Sequence, residues 1–276
     1  MSSVERLSFA DQSLLGGHAE TVERLQFSAL HCRGERVLDA GCGTGLGARY
    51  LLDHGALSML GVDYSPEAIT EATALSPPQV DLLVGDLHQL TEVVAGRGPF
   101  GAIVCFETLP HLRDPGLFLK AAAQLLEAEG TFIVSTPNRD AIPLDAAGRP
   151  LYAFQHTAYS AASLETLLRN YFDEVDMCGQ WLTPSGKLRK HRAEEGFRYL
   201  CDSYYQPGAR LLRWGKRLLG RPTLPMPENH AHSDAYPGDY EIAPLGAPRV
   251  PWAPTILVAV CRNCAVQKAS GSARAK

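Results

Sequence analysis

The sequence lacks any apolar run long enough to cross a membrane. Its first residues, MSSVERLSFADQ, contain neither the basic nor the apolar segment of a secretory signal peptide. The net charge is only −4 at pH 7, so the composition gives no argument for binding nucleic acid or an anionic membrane. We therefore expect a cytoplasmic protein, and its 276 residues suffice for one large α/β domain with a substantial core.

Cysteine is scarce and irregularly placed. The seven cysteines are odd in number and scattered, which fits free thiols in a reducing compartment better than a disulfide framework. Cys261 and Cys264 form a single CxxC pair near the C-terminus. Because a structural zinc site needs four ligands, this lone pair does not predict one.

Apolar strand-like runs alternate with helical stretches along most of the chain. A helix is predicted up to Cys32, and Ser65 followed by Pro66 predicts the start of another, as N-cap and first helical residue. The predicted strands are 36–41, 58–63, 81–86, 100–107, 130–138, 172–181 and 254–262. Apolar strands separated by helices predict a parallel sheet covered on both faces. With right-handed crossovers, this is an α/β fold with a Rossmann-like, doubly wound, seven-stranded sheet.

Five segments are predicted, with an insertion between the last two strands. A helical cap (1–33) precedes the Rossmann-like core (34–181), the insertion (182–250), the final strand (251–264) and a disordered tail (265–276). The insertion is too long for a plain connection, so we expect a lid over the substrate. Within 187–221, ten Lys and Arg residues minus three acids leave a net charge of +7. This stretch is either a solvated helix face or a surface for an anionic or aromatic substrate; nucleic acid and a membrane surface are weaker alternatives. The rest, 222–251, is predicted to be a loop rich in Pro, Gly and His.

The motif VLDAGCGTGLG follows the first predicted strand. Gly41, Gly43 and Gly45 allow a tight turn and a close approach of backbone to a ligand. The run from Gly43 to Ala48 also fits the GxGxxA pattern of nicotinamide enzymes, so an NAD(P)-dependent oxidoreductase is an alternative. Asp39 precedes the glycines, and a carboxylate there suits a ligand with a positive end better than a pyrophosphate.

DAGCGTG resembles the nucleotide loop of class I S-adenosylmethionine-dependent methyltransferases. GVDYS, VGDLHQL, CFETLPHL and LLEAEGTFIVSTPN resemble later motifs of that family, in family order over about residues 18–180. The resemblance implies S-adenosylmethionine as cofactor, with Asp63 on the ribose hydroxyls, Asp86 and Leu87 at the adenine, and Asp39 orienting the methionine end. The implied cofactor-binding residues are Asp39, Gly41, Gly43, Gly45, Asp63, Tyr64, Asp86, Leu87 and Phe106. Taken alone, Asp63 and Asp86 could instead be strand-end caps, with Asp86 as the N-cap of a following turn.

Glu107 and His111 lie four residues apart in CFETLPHLRDP, at the end of the fourth predicted strand. Ubiquinone-pathway and plant small-RNA methyltransferases resemble this segment with Glu-x-x-Glu-His, which can hold a divalent metal. Here Pro110 replaces the second Glu, which removes a ligand that a hard cation would need, so no metal is predicted. His111 is a candidate general base or a packing residue, and Glu107 is a candidate substrate-binding residue.

Other candidates lie on later connections. In ENHAHSDAYPGDYE, His230 and His232 would face one side of an extended segment. They are candidate catalytic bases, metal ligands together with Asp234, or part of a polar surface loop. Tyr240, His156 and Tyr159 are candidate substrate-binding residues. Gln155 stands at the position where related enzymes often carry a histidine.

The sequence thus predicts an S-adenosylmethionine-dependent methyltransferase that acts on O or N of a small molecule. Its segments are most similar to bacterial sugar, natural-product and ubiquinone-pathway enzymes. A nucleic-acid methyltransferase, an NAD(P)-dependent oxidoreductase and a non-catalytic cofactor-binding protein are the alternatives. The expected partner is a small-molecule substrate rather than nucleic acid.

Overall fold

A computed structural model describes residues 19–142, 155–187, 239–246, 250 and 253–264. The helices are α1 (Ala19–Cys32), α2 (Leu46–Asp53), α3 (Pro66–Leu75), α4 (Leu90–Val93), α5 (Pro115–Leu125) and α6 (Ala161–Leu168). The strands are β1 (Arg36–Ala40), β2 (Ser58–Asp63), β3 (Val80–Val84), β4 (Phe100–Phe106), β5 (Leu126–Pro137), β6 (Phe172–Leu182), β7 (Tyr240–Pro244) and β8 (Ile256–Cys264). In this part of the chain, no helix is long and apolar enough to span a membrane.

The strands form one sheet in the order β3-β2-β1-β4-β5-β8-β6-β7. Strands β1 to β5 are parallel, and β8 runs antiparallel to both β5 and β6. The predicted α/β, Rossmann-like class is confirmed. The sheet has eight strands rather than the predicted seven.

The additional strand, β7, lies inside the stretch 222–251 that was predicted to be a loop. It pairs antiparallel with the end of β6, with Tyr240 opposite Leu182 and Pro244 opposite Cys178. The strand is only five residues long and ends in proline. Its pairing with β6 is a long-range interaction, so local sequence preference gave little indication of it.

The helices start where short polar side chains can cap them. Ser65 Oγ accepts the backbone N–H of Ala68 at 3.2 Å, and Pro66 occupies the first position of α3, as predicted. Two apolar clusters cover the two faces of the sheet. One includes side chains of α5 and α6, and the other includes side chains of α1 and α2. The parallel sheet is therefore buried on both faces, which explains its nearly continuous apolar strands.

The carboxyl ends of the parallel strands define one edge of the sheet. Because β6 is parallel to β5, its end at Leu182 lies at that same edge, and β7 and β8 begin there. Just beyond Leu182, the backbone N–H of Thr183 donates to the carbonyl of Asp239 at 2.8 Å. The hydroxyl of Thr183 donates to the same carbonyl at 3.2 Å. The residue that follows β6 and the residue that precedes β7 are thus hydrogen-bonded to each other at the edge of the sheet. The predicted lid lies mostly outside the described residues.

Helix α1 is fixed to the sheet by a buried polar contact. A terminal nitrogen of Arg24 donates to Gln180 Oε1 at 2.7 Å, and Gln180 Nε2 donates to the carbonyl of Glu20 at 2.7 Å. Both Arg24 and Gln180 are buried. Because buried polar groups are costly unless paired, this reciprocal pairing fixes the position of α1 on β6. Residues 1–18 of the predicted cap lie outside the described residues.

Candidate active site

The turn after β1 requires glycine at three alternate positions. Gly41, Gly43 and Gly45 have φ values of 89°, 54° and 78°, in the left-handed region where a side chain is unfavourable. The backbone N–H groups of Gly41 and Cys42 donate to the carbonyl of Val62 at 2.8 and 3.1 Å. These two bonds fix the turn to the end of β2.

Gly41 also makes room for a neighbouring segment. A Cβ at this position would overlap the side chain of Thr108, which follows β4. The Thr108 hydroxyl donates back to the carbonyl of Phe106 at 3.0 Å. The glycine turn therefore packs closely against the side chain of Thr108.

Asp63 binds the glycine turn directly. One carboxylate oxygen accepts the backbone N–H of Gly43 at 2.8 Å, and the other accepts that of Ser65 at 2.9 Å. Since each carboxylate oxygen has two lone pairs, both oxygens can accept a further hydrogen bond from ligand hydroxyls. The capping role and the predicted ribose role are therefore compatible.

Asp39 is a buried carboxyl group beneath the glycine turn. It is 5% exposed, and a Cβ on Gly47 would lie 2.8 Å from its Oδ2 atom, so it faces the first turn of α2. Burial, and then the neighbouring charge of Asp63, raise the pKa of Asp39 to about 7. Because ionising a buried carboxyl group is unfavourable, a ligand with a positive charge beside Asp39 would stabilise its ionised form.

The predicted adenine-side residues lie around the ends of β2 and β3. Asp86 is exposed and caps the short 3-10 turn Leu87–Gln89 by accepting the backbone N–H of His88 at 2.9 Å. Leu87 is buried in the core. Tyr64 is 73% exposed next to Asp63, which leaves its ring free to stack on a flat ligand. Phe106 is half-buried at the end of β4.

One buried polar atom in the turn is suited to a bound ligand. Thr44 is 3% exposed, and its hydroxyl has no hydrogen-bond partner within the described residues. A buried hydroxyl without a partner is unfavourable, and a polar ligand in the turn would supply one. The three glycines, the two acids and this hydroxyl together fit a ligand with hydroxyl groups and a cationic end.

Glu107 begins the connection after β4 in an unusual backbone conformation. Its φ is 53°, which is uncommon for a residue with a side chain. Its backbone N–H donates to the carbonyl of Ser135 at 3.1 Å, and its Oε1 accepts the Ser135 hydroxyl at 2.7 Å. Ser135 is fully buried on β5. The sequence reasoning missed Ser135, although a serine inside the apolar run TFIVS was a visible signal.

His111 lies on the next turn, close to His156. The 3-10 turn Leu109–His111 is held by the backbone N–H of His111, which donates to the carbonyl of Thr108 at 3.0 Å. The carbonyl of Pro110 accepts the backbone N–H of His156 at 2.8 Å. The structure therefore brings Glu107, His111 and the backbone of His156 to one part of the carboxyl edge.

Tyr159 and Tyr240 are the other two predicted substrate-binding residues. Tyr159 is 5% exposed in the core, and burial raises its pKa, so its position favours a packing role. Tyr240 lies on the edge strand, separated from β4 by β5, β8 and β6. Burial, and then the charge of Glu20, raise its pKa to about 12. A cavity of about 90 Å³ lies near β6 and β7, between residues such as Trp181 and Glu241.

His230 and His232 lie outside the described residues. Within the described ranges, no group of three or more His, Cys, Asp or Glu residues could hold a metal ion. In the same ranges the cysteines are free and buried.

The chain matches a family model for a methyltransferase domain over residues 18–181, which is more than half of its length. It therefore belongs to this methyltransferase family. The family and its members imply S-adenosylmethionine as the cofactor. The glycine turn, Asp39, Asp63 and the Thr44 hydroxyl fit that molecule, which has two ribose hydroxyls and a cationic methionine end.

Curated relatives support the family assignment. The chain is 34% identical over 161 residues to a protein of Mycolicibacterium smegmatis named "Probable S-adenosylmethionine-dependent methyltransferase". The matched region covers 58% of this chain and 58% of that protein. It is 36% identical over 127 residues to the ubiquinone biosynthesis O-methyltransferase of Xanthomonas axonopodis pv. citri. This match covers 44% of this chain and 52% of that protein. The chain thus matches between about half and three fifths of the length of these relatives.

Solved structures show the same fold at low sequence identity. A SAM-dependent methyltransferase from Thermotoga maritima superposes with a TM-score of 0.56 at 16% identity, covering 91% of this chain and 92% of that chain. The [4+2]-cyclase SpnF superposes with a TM-score of 0.51 at 17% identity, covering 88% of this chain and 81% of that one. The fold alone therefore does not determine the reaction.

Proposed function

We propose that the protein is an S-adenosylmethionine-dependent methyltransferase that transfers a methyl group to O or N of a small molecule. The observation that carries this proposal is the contact of Asp63 with Gly43, at a turn with three left-handed glycines. This contact supports a role for the Asp63 carboxylate in accepting hydrogen bonds from the ribose hydroxyls. Family membership and the implied cofactor support the same activity.

The charge of the site argues against a dinucleotide. Asp39 lies beneath the turn that would hold a pyrophosphate, where burial and then repulsion from Asp63 raise the pKa of its carboxyl group. An anionic ligand would add to this repulsion. A ligand with an ammonium group and a sulfonium would instead stabilise the carboxylate. These charges favour the methyltransferase over the oxidoreductase.

When bound, S-adenosylmethionine supplies a methyl group that its sulfonium already activates. The chain has to hold a nucleophile in line with that group and exclude water. Ser135 holds the carboxylate of Glu107 beside the end of β4. There the carboxylate can accept a hydrogen bond from the hydroxyl or amine of the substrate that receives the methyl group. His111 lies on the next turn and can take the proton of a hydroxyl through an unprotonated ring nitrogen.

Three further features bear on the substrate class. A curated relative is a ubiquinone biosynthesis O-methyltransferase, which is an enzyme of small-molecule metabolism. The plantazolicin methyltransferase BamL superposes with a TM-score of 0.51 at 14% identity, which is a likeness of fold. The net charge of +7 within 187–221 supports an anionic or aromatic substrate.

Isothermal titration calorimetry with S-adenosylhomocysteine and with NADH tests the class of cofactor. We expect S-adenosylhomocysteine to bind and NADH not to bind. Binding of NADH alone would overturn the proposal in favour of an oxidoreductase.

Transfer of a labelled methyl group tests the substrate. Labelled S-adenosylmethionine should be incubated with the protein and separate small-molecule and RNA fractions, with Glu107→Gln as the control. We expect label in the small-molecule fraction and less label with the control. Label in RNA would support a nucleic-acid methyltransferase, and binding without transfer to any fraction would support a non-catalytic role.

A further inference from the structure

His88 connects two segments that both border the candidate site. Its Nδ1 atom is 2.6 Å from Asp86 Oδ1, at the end of β3. Its Nε2 atom is 3.2 Å from the backbone nitrogen of Asp114, which lies 26 positions further along the chain. One imidazole thus joins the predicted adenine side of the site to the start of α5.

These contacts determine which ring nitrogen carries the proton. The backbone N–H of Asp114 can only donate, so the Nε2 atom of His88 must accept and carries no hydrogen. A neutral imidazole then has its hydrogen on Nδ1, which donates to Asp86. The environment of His88 therefore selects one tautomer.

Both hydrogen bonds from His88 end on the same oxygen of Asp86. Oδ1 accepts the backbone N–H of His88 at 2.9 Å in addition to the ring contact. The backbone bond is the main cause that holds the pKa of Asp86 below its ordinary value, with the ring bond contributing and slight burial opposing it. Among the described residues, Oδ2 has no hydrogen-bond partner. This oxygen can therefore accept a hydrogen bond from the amino group of an adenine.

We propose that His88 is a positioning residue for cofactor binding, which holds Asp86 through Oδ1 so that Oδ2 faces the adenine. This role rests on the proposed function. The short turn that carries His88 is anchored to the core, because Leu87 and Leu90 are buried. His88 acts through Asp86 and need not touch the cofactor itself.

The same imidazole connects the cofactor side to the acceptor side. Asp114 caps α5 by accepting the backbone N–H of Gly116 at 3.0 Å, and it ends the connection that begins at Glu107. His88 holds the far end of this connection through the backbone N–H of Asp114. Fixing Asp86 by cofactor binding should therefore also reduce the motion of the segment from Glu107 to Asp114.

Three substitutions at His88 separate its two contacts. The amide nitrogen of His88→Asn takes the place of Nδ1 and can donate to Asp86. The amide oxygen of His88→Gln reaches the place of Nε2 and can accept from Asp114. His88→Ala removes both contacts.

Calorimetric titration with S-adenosylhomocysteine measures the effect of each change. We expect His88→Ala to weaken binding about fivefold, because one charge-assisted hydrogen bond to a partly exposed carboxylate is lost. His88→Asn should restore most of the affinity, and His88→Gln should not. The role is overturned if all three variants bind like the wild-type protein, or if Gln restores affinity and Asn does not. A urea midpoint for each variant separates loss of binding from loss of folding.

A double-mutant cycle tests whether His88 acts through Asp86. In an Asp86→Ala background, His88→Ala should have no further effect on the affinity for S-adenosylhomocysteine. Additive losses would contradict the proposal. Hydrogen exchange adds a second readout, since S-adenosylhomocysteine should protect the Asp114 amide in the wild-type protein and less in His88→Asn. Equal protection in both would refute the connection to the acceptor side.

Nitrogen NMR of the ligand-free protein tests the geometry without any cofactor. We expect the Nε2 signal of His88, assigned with His88→Asn, to be that of an unprotonated ring nitrogen. A protonated Nε2 would overturn the proposal even if cofactor binding is normal. If the wild-type protein binds no S-adenosylhomocysteine, the proposed function fails together with this role. Normal wild-type binding that His88→Ala leaves unchanged would overturn this role alone.

Discussion

Replacing Asp39 by asparagine should change stability in opposite directions at low and at neutral pH. The carboxyl group is buried and has a pKa of about 7 in the folded protein, against an ordinary value of 3.8. Between pH 4 and 7 the folded state therefore binds more protons than the unfolded state, so wild-type stability falls as pH rises. A difference of this size corresponds to at most about 4 kcal/mol of unfolding free energy at pH 8.

Asparagine removes this cost because it carries no charge. Its amide has two N–H donors where a protonated carboxyl group has one O–H, and an additional buried donor without a partner costs about 1–2 kcal/mol at any pH. We therefore expect Asp39→Asn to be about 2 kcal/mol more stable than the wild-type protein at pH 8 and about 1 kcal/mol less stable at pH 4. Urea denaturation of both proteins across this range measures the difference directly.

The result that would refute the reasoning is a stability difference of constant sign and size across the pH range. It would mean that Asp39 titrates in the folded protein as it does in the unfolded chain. Calorimetry at pH 8 provides the functional comparison. If Asp39 orients the cationic methionine end, the more stable variant should bind S-adenosylhomocysteine about tenfold more weakly.

Three further predictions concern the same turn. The affinity of the wild-type protein for S-adenosylhomocysteine, measured by calorimetry, should rise up to about tenfold from pH 6 to 8, because the ammonium group of this ligand favours ionised Asp39; constant affinity would contradict this contact. Asp63→Asn keeps one acceptor oxygen instead of two, so urea denaturation should show a free energy of unfolding about 1–2 kcal/mol lower. Its affinity for S-adenosylhomocysteine should fall at least about tenfold, and an unchanged affinity would contradict the ribose role. Gly41→Ala and Gly96→Ala both place a side chain at positive φ, but only the first meets another residue, Thr108. In urea denaturation, Gly96→Ala should lower the free energy of unfolding by about 1–2 kcal/mol. Gly41→Ala should lower it more and abolish binding of S-adenosylhomocysteine; equal effects of the two substitutions would refute the close contact between Gly41 and Thr108.

The sequence was most informative where local chemistry and strand pattern agree. Strand β2 has the predicted bounds, and the cap formed by Ser65 and Pro66 is confirmed. The first five strands were recognisable because each is an apolar run followed by a turn or a helix start. Strand β7 was not recognisable, since its five residues depend on pairing with β6, a partner more than fifty residues earlier.

The candidate site was predictable in position but not in conformation. The sequence located Glu107 at the end of β4, but its left-handed backbone and its bond to Ser135 arise from contact between β4 and β5. The tautomer of His88 likewise depends on a backbone N–H that lies 26 positions away. The raised pKa of Asp39 results from burial, which a single sequence does not report.

The hydrogen bonds between Thr183 and Asp239 have an evolutionary consequence. These residues are 56 positions apart, yet their backbones meet at the edge of the sheet, where β6 ends and β7 begins. The entropy of closing a loop changes slowly with its length, so this peptide can lengthen, shorten or be exchanged at little cost to the core. Under the proposed function, changes in this peptide can therefore alter the range of substrates while the cofactor turn stays the same.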